Sequence, residues 1–371
     1  MSQDPITIVG AGVIGLSIAY DLVKQGCNVR IVESGQPGME ASWAGAGILA
    51  PSTSTNANHP YDQLRALSWA THPGLAQELL ADTGIDNGFH TCGGITIART
   101  LGEAAMLQGY LKMLHDEAIE AEEIVPTDLP SLEPFLNAQA IKRAVLIPSE
   151  AQLRNPRHLK ALSAACLARG VEIISNAGNT TLQTKSGSIV SIELSDGRQL
   201  KTSAPVCVAA GAWSQAILQQ IGISTGVLPI RGQMVLFQCG KTRLSRIIAE
   251  GPRYLVPRDD GRILVGSTEE EVGFVKETTE EAREDLREFA TDLVPALKEE
   301  TIERTWAGLR PASFDGLPYL GRLPELDNGF IAAGHFRSGL FLSAATAIVM
   351  SQAIRGMPID VDLTPFRVSR A

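Results

Sequence analysis

The spacing of apolar residues along the chain changes several times, and each change marks an element. Residues 6–9 (ITIV) are a continuous apolar run closed by glycine, the pattern of a strand buried on both faces. Residues 13–24 then repeat apolar side chains at Ile14, Ile18 and Val23, which predicts a helix laid on that strand, and 28–32 supply a second strand. The result is a βαβ unit, right-handed in nearly every known case. Further on, 156–169 reads as a helix with Leu159, Leu162, Ala165 and Cys166 inward, feeding a strand at 171–174. A hairpin over 189–194 and 199–202 follows, turned by SDGR, and a strand over 206–210 ends on Gly211 ahead of a new helix.

The middle of the chain obeys a different rule. RGQMVLFQ, RYLVPR and RILVGST are strand-like, with Asp259-Asp260-Gly261 turning between the last two. Residues 278–293 predict a charged amphipathic helix with Glu281, Arg283, Glu284 and Asp285 on or near its wet face. Residues 85–148 mix short strands with helical stretches such as 103–117. Strands paired over long distances, with helices at one side, predict an α+β unit. The first pattern returns at the end, as a strand over 329–333, the tight turn GHFRSG and a helix over 340–353. The expected organisation is therefore a discontinuous cofactor domain from 1–84, 149–215 and 320–371. A substrate domain is expected from 85–148 and 216–319.

Composition narrows the class. A net charge of -9 gains nothing from the field of a phosphate backbone, and no Lys/Arg cluster of footprint size offsets it, so nucleic acid is not an expected partner. Cys27, Cys92, Cys166, Cys207 and Cys239 form no CxxC pair, which argues against a disulfide framework and a thiolate metal site and for a reducing cytoplasm. The N-terminus shows no signal-peptide pattern, and the late run LFLSAATAIVM is too short to span a bilayer, so a soluble enzyme is expected.

The first strand–helix turn carries the clearest chemistry. Gly10 allows a sharp turn, Gly12 lets backbone approach a pyrophosphate, and Gly15 lets helix and strand pack closely. Ala11, Val13 and Ile14 complete the turn, whose helix N-terminus offers unpaired N–H groups to phosphates. Glu33, followed by Ser34, ends the second strand at the separation suited to accepting hydrogen bonds from an adenosine ribose. NAD and FAD share this half-site. The segment SGQPGMEASWAGAGILAP then favours FAD, because Ser42, Trp43, Ala44, Gly45, Ala46, Gly47 and Ile48 can lie under an extended pyrophosphate and a flat ring. The alternative is a surface loop, for which Trp43 and Ile48 are poor choices.

With SWAGAGILAP, IRGQMVLF, RYLVPRDDGRILVGST, WAGLRPASFDGLPYLG and GHFRSGLFLSAA in this order, the chain resembles the glycine oxidases of the FAD-dependent D-amino acid oxidase family, from Ile6 to about Ala353. The resemblance implies a glutathione-reductase-like Rossmann FAD domain and a substrate domain with a mainly antiparallel sheet. It implies non-covalent FAD, since the cysteine attachment of monomeric sarcosine oxidase needs a late cysteine and the last here is Cys239. It also implies oxidation of glycine, sarcosine and small D-amino acids by hydride transfer to flavin N5. Molecular oxygen would be the acceptor and hydrogen peroxide a product, in the service of thiamine thiazole synthesis. A homo-oligomer, by family habit a tetramer, belongs to the same expectation. A dehydrogenase of D-amino acids or N-substituted glycines with another acceptor stays open.

The same resemblance names the site. Arg310 is the carboxylate-binding arginine, a role that its rigid guanidinium fork suits on chemical grounds alone. Tyr254 is the tyrosine that helps hold that carboxylate, and Arg337 the second arginine. His335, Ser338, Gly339 and Leu340 are expected along the flavin ring, with Gly211 and Trp213 passing close to the cofactor. Pro156 resembles a structural helix start. No general base is expected. Two positions depart from the Bacillus form of the family, where methionines stand: Ile48 beside the flavin, and Glu269, whose carboxylate either faces the site or points to solvent at a strand end.

Overall fold

The computed structural model describes residues 4–241 and 243–370. Its first layer is a six-stranded sheet in the order Tyr319–Arg322, Gly329–Ala333, Val206–Val208, Ile6–Val9, Val29–Val32 and Glu172–Ile174. Every pair is parallel except the edge pair formed by the first two. Side chains alternate between two buried faces, which is why these strands read as unbroken apolar runs. Ile8, Ile31 and Cys207 face a core shared with the helices Val13–Lys24, Pro60–Thr83, Asn155–Ala168 and Gly339–Arg355. Val9, Val32 and Val208 face the other way, onto the antiparallel three-stranded sheet Thr181–Lys185, Ser188–Glu193 and Gln199–Lys201.

The second layer is an eight-stranded sheet. It runs Thr301–Ala312, Leu228–Gln238, Arg262–Gly266, Arg253–Pro257, Ile247–Glu250, Gly94–Ala98, Arg143–Ile147 and Glu122–Ile124. It is antiparallel apart from one pair, Ile247–Glu250 with Gly94–Ala98. Phe237, Leu255 and Val265 turn one face onto Leu286 and Phe289 of the helix Glu280–Leu293. Thr279 starts that helix by accepting the Ala282 N–H. The opposite face, with Met234, Val256 and Leu264, packs on Ala46 from the first unit. The architecture is thus an α/β unit with a Rossmann-like parallel sheet joined to an α+β unit with a mainly antiparallel one. Among the described residues no helix is long and apolar enough to cross a membrane.

Two local features differ from the sequence reading. The helix Pro60–Thr83 gives little periodic signal because polar side chains, Ser68 and His72, occupy core-facing positions. Both are satisfied there by the Phe341 carbonyl. The small-residue segment after Glu33 is no plain loop: it contains the short helix Ala41–Ala44 and the strand Ile48–Leu49.

Backbone packs directly on backbone where the first helix leaves its strand. A Cβ at Gly15 would be driven into the carbonyl oxygen of Gly10, so only hydrogen fits where the helix Val13–Lys24 crosses its own strand. Gly15→Ala is expected to destabilise the fold by about 1–3 kcal/mol, the range for overpacking a tight contact. Urea unfolding with and without added FAD checks this, because a packing defect lowers both midpoints. An unchanged midpoint in the apoprotein would contradict it.

Candidate active site

The C-terminal ends of the parallel strands open onto one cavity of about 850 Å³, the place where such sheets accept ligands. Val9–Gly10, Val32–Glu33, Ala209–Ala210 and Ala332–Ala333 form its floor, and it continues to Tyr254 and Arg310 on the second sheet. Its volume lies within the range of cofactor sites. At the dinucleotide end, Gly12, Val13 and Ile14 line the wall. Ser42 Oγ accepts the Val13 N–H at 2.9 Å and so caps the helix from outside. Glu33 Oε2 accepts the Ala11 N–H at 2.7 Å and Oε1 accepts the Gly35 N–H at 2.9 Å, which fixes the carboxylate at the cavity edge with lone pairs left for a ligand.

Of the residues expected at the cofactor, Gly10, Gly12, Val13, Ile14, Glu33, Ser34, Ser42, Ala46, Gly47, Ile48, Gly211 and Trp213 line the cavity. So do His335, Ser338, Gly339 and Leu340. Three do not. Ala11 is fully buried beneath the turn, and Gly15 serves helix–strand packing. Trp43 turns away from the cavity, its ring packed edge-on to Trp306 with centroids 5.4 Å apart.

His335 lines the cavity and is also a satisfied core histidine. Its Nε2 lies 3.1 Å from Thr346 Oγ1, and burial pushes its pKa down to about 3, so the ring is neutral. It follows that His335 holds no exchangeable charge near neutral pH.

Sequence reasoning missed several lining residues. Asn155, 1% exposed, donates from Nδ2 to the Ser42 carbonyl at 2.8 Å, while its Oδ1 has no protein partner. Its amide fills the space that a Cβ at Gly45 or Gly47 would need. Only its place before Pro156, at the helix start, could have drawn attention to it. Phe274 reaches in from the second unit and packs at a tilt against Trp213, centroids 5.6 Å apart, a long-range contact with no local signal.

An orphaned buried acceptor, a glycine-lined wall and two helix N-termini, at Val13 and Gly339, suit a bound dinucleotide with a planar ring. The residues present fit FAD.

The far end of the cavity belongs to the second sheet. Arg310 Nη1 donates to the Thr268 carbonyl at 3.0 Å and Nη2 to Ser267 Oγ at 2.6 Å. In register, Gly232 pairs with Gly308 and Ile230 with Arg310. The guanidinium folds back into the volume a side chain at Gly232 would occupy. Burial and the like charge of Arg337 push the Arg310 pKa down, against the opposing pull of Tyr254 and Glu269. The guanidinium remains cationic all the same. The Tyr254 hydroxyl donates to Met234 Sδ at 3.6 Å. Arg337 Nη2 donates to the Pro252 carbonyl at 2.9 Å, and its Nη1 lies 3.5 Å from Glu269 Oε2. Glu269 is therefore exposed at a strand end and also turned toward the site. Among the described residues no cluster of His, Cys, Asp and Glu is arranged to hold a metal ion.

Known proteins resemble this chain along its length. The family model described as FAD dependent oxidoreductase, DAO, matches residues 5–353. A glycine oxidase of Pseudomonas putida is 34% identical over 97% of this chain and 97% of its own. The crystal structure of glycine oxidase from Geobacillus kaustophilus superposes with a TM-score of 0.93 at 30% identity, covering 99% of this chain and 98% of that one. Iminodiacetate oxidase from Chelativorans sp. BNC1 superposes with a TM-score of 0.88 at 25% identity over 98% of both chains. With the match running through both sheets and both ends of the cavity, the chain belongs to the glycine oxidase group of the DAO family of FAD-dependent oxidoreductases.

Proposed function

We propose that this enzyme oxidises the amine of glycine and of similarly small amines, sarcosine and small D-amino acids, with molecular oxygen as acceptor. The observation that carries the reading is Arg310, a guanidinium at the far end of the cavity, sheltered from water, whose fork no carboxylate of the chain occupies within ion-pair distance among the described residues. An α-carboxylate is the anion such a fork fits. Tyr254 lines the same end and would lend its hydroxyl to the carboxylate, while Arg337 closes the mouth.

When bound, FAD would supply the two-electron acceptor that no side chain offers. Gly10, Gly12 and the helix N-terminus at Val13 would hold its pyrophosphate, Glu33 its ribose, and Ser338–Leu340 its ring. Overall, the α-C–H bond breaks as a C=N bond forms. Water adds to the imine carbon, ammonia or an amine leaves, and oxygen takes two electrons and two protons as hydrogen peroxide. The chain's own task is positioning: Arg310 and Tyr254 fix one end of the substrate so that its α-carbon has one place to go. His335, neutral and hydrogen-bonded to Thr346, is not set up to move a proton. The amine reacts from the fraction of substrate that is already neutral in solution.

The same proposal assigns 1–84, 149–215 and 320–371 to FAD and the rest to substrate. It extends to a cytoplasmic homo-oligomer, by family habit a tetramer, that delivers glycine imine to thiamine thiazole synthesis.

Anaerobic glycine is expected to bleach the flavin absorbance of the purified enzyme. If glycine, sarcosine and D-alanine all leave it yellow, the proposal falls. Arg310→Ala should lower kcat/KM for glycine roughly a hundredfold, mainly through KM, since hydrogen bonds to charged groups contribute about 1.5–3 kcal/mol each. FAD should stay bound, and unchanged kinetics would remove Arg310 from its role. Gly232→Ala should act at one remove by pushing the guanidinium off Ser267, with a loss of roughly ten- to a hundredfold for a misplaced group. Steady-state kinetics at equal flavin content measure it, and wild-type values would show that Arg310 does not need that space.

A further inference from the structure

The two guanidiniums at the substrate end are not equivalent. Arg310 rests on Ser267 Oγ and Thr268 O, both uncharged. Arg337 lies 3.5 Å from Glu269, and both side chains reach solvent, at 36% and 48% exposure. The other arginine that lines the cavity, Arg65, has its own carboxylate in Asp62 at 3.6 Å. Glu40, an acidic group of the lining, is held by Lys276 at 2.6 Å. His335 is neutral. With the paired charges cancelled, the substrate end offers one net positive charge, on Arg310.

We infer that Glu269 sets this site for amines that carry a single negative charge and discriminates against amines with a second carboxylate. The inference rests on the amine-oxidation reading above and names its substrate class. A monocarboxylate amine meets Arg310 with its one anionic end and leaves the Arg337–Glu269 pair intact. A dicarboxylate amine such as iminodiacetate brings a further carboxylate to the mouth, where Arg337 is engaged and Glu269 repels it. Because the pair is half-exposed, water and salt weaken it. Glu269 is thus a graded filter of about tenfold at separations of several ångströms. Removing its charge frees Arg337 and raises the local count from one positive charge to two.

Glu269→Gln tests this through two ratios. One is kcat/KM for iminodiacetate over that for glycine. The other, independent of turnover, is the affinity for malonate over that for acetate, read from the perturbation of flavin absorbance. Both ratios should rise about tenfold in Glu269→Gln, stay at wild-type values in Glu269→Asp, and converge with wild type at high salt. Should the glutamine variant fail to fold, Glu269→Met carries the same expectation. Unchanged ratios in an enzyme that oxidises glycine would overturn the charge filter and leave the oxidase reading standing. A shifted malonate ratio in an enzyme that no amine reduces would support the filter and overturn the oxidase reading.

Discussion

A single buried cation, Arg258, joins the two halves of this molecule, and the cavity depends on it. It sits at the end of the strand Arg253–Pro257, 8% exposed. One guanidinium nitrogen donates to Gln152 Oε1 at 2.7 Å and Leu153 O at 3.1 Å, the other to Ala46 O at 2.6 Å. Among the described residues it has no carboxylate within ion-pair distance. Burial, helped by the like charge of Arg154 and opposed by Asp260, pushes its pKa down to about 10, which still leaves it charged. A buried charge is tolerable only when its donors are taken, and here carbonyl-type oxygens of the first unit take the donors of an arginine carried by the second. The strand of the antiparallel sheet that carries Tyr254 is thereby tied to the segment Ala44–Gly47 that lines the cavity. Trp306, three strands away, repeats the tie by donating to the Ala44 carbonyl at 3.1 Å. The gap between the sheets is held at a fixed width, as a site that works by positioning requires.

What the sequence disclosed follows from how local each cause is. The turn Gly10–Gly15 is legible because every requirement in it lies within a few residues: a strand, a close approach and a helix start. Glu33 is legible because the second strand of a βαβ unit ends at a predictable separation. Arg310, Tyr254 and Arg337 could be named only through resemblance to a family, since an isolated arginine on a strand has no local signature. The ring of Trp43 lies off the cavity for a local reason. Its neighbours Ser42 and Ala44 face the cavity, but on the short helix Ala41–Ala44 the next side chain turns through about 100°, and the ring finds Trp306 instead.

Other features were hidden by non-local geometry. Asn155 is separated in sequence from Ser42 and Gly47 yet fills the space between their backbones. Phe274 crosses from the second unit to Trp213, and Lys276 beside it reaches Glu40 at 2.6 Å. Such contacts exist only once both sheets are in place. The helix Pro60–Thr83 was obscured in another way: Ser68 and His72 share the carbonyl of Phe341, so polar letters stand where the core is. A buried polar residue that is fully bonded looks, in sequence, like an exposed one.

The division of labour between the sheets has a consequence for how substrate range can change. The residues that fit the cofactor lie mostly at the ends of parallel strands, where each backbone position is pinned by neighbours on both faces. Gly15 shows how little room for alteration remains there. Tyr254 and Arg310 lie on the antiparallel sheet, Arg337 lies just ahead of the helix Gly339–Arg355, and Glu269, beyond the strand Arg262–Gly266, has solvent on one side and Arg337 on the other. A substitution there disturbs no core contact and leaves Arg310 seated on Ser267. Charge at the mouth can therefore be altered without moving either Arg310 or the cavity wall, which makes this the part of the site where relatives of one fold can differ in substrate while sharing their chemistry.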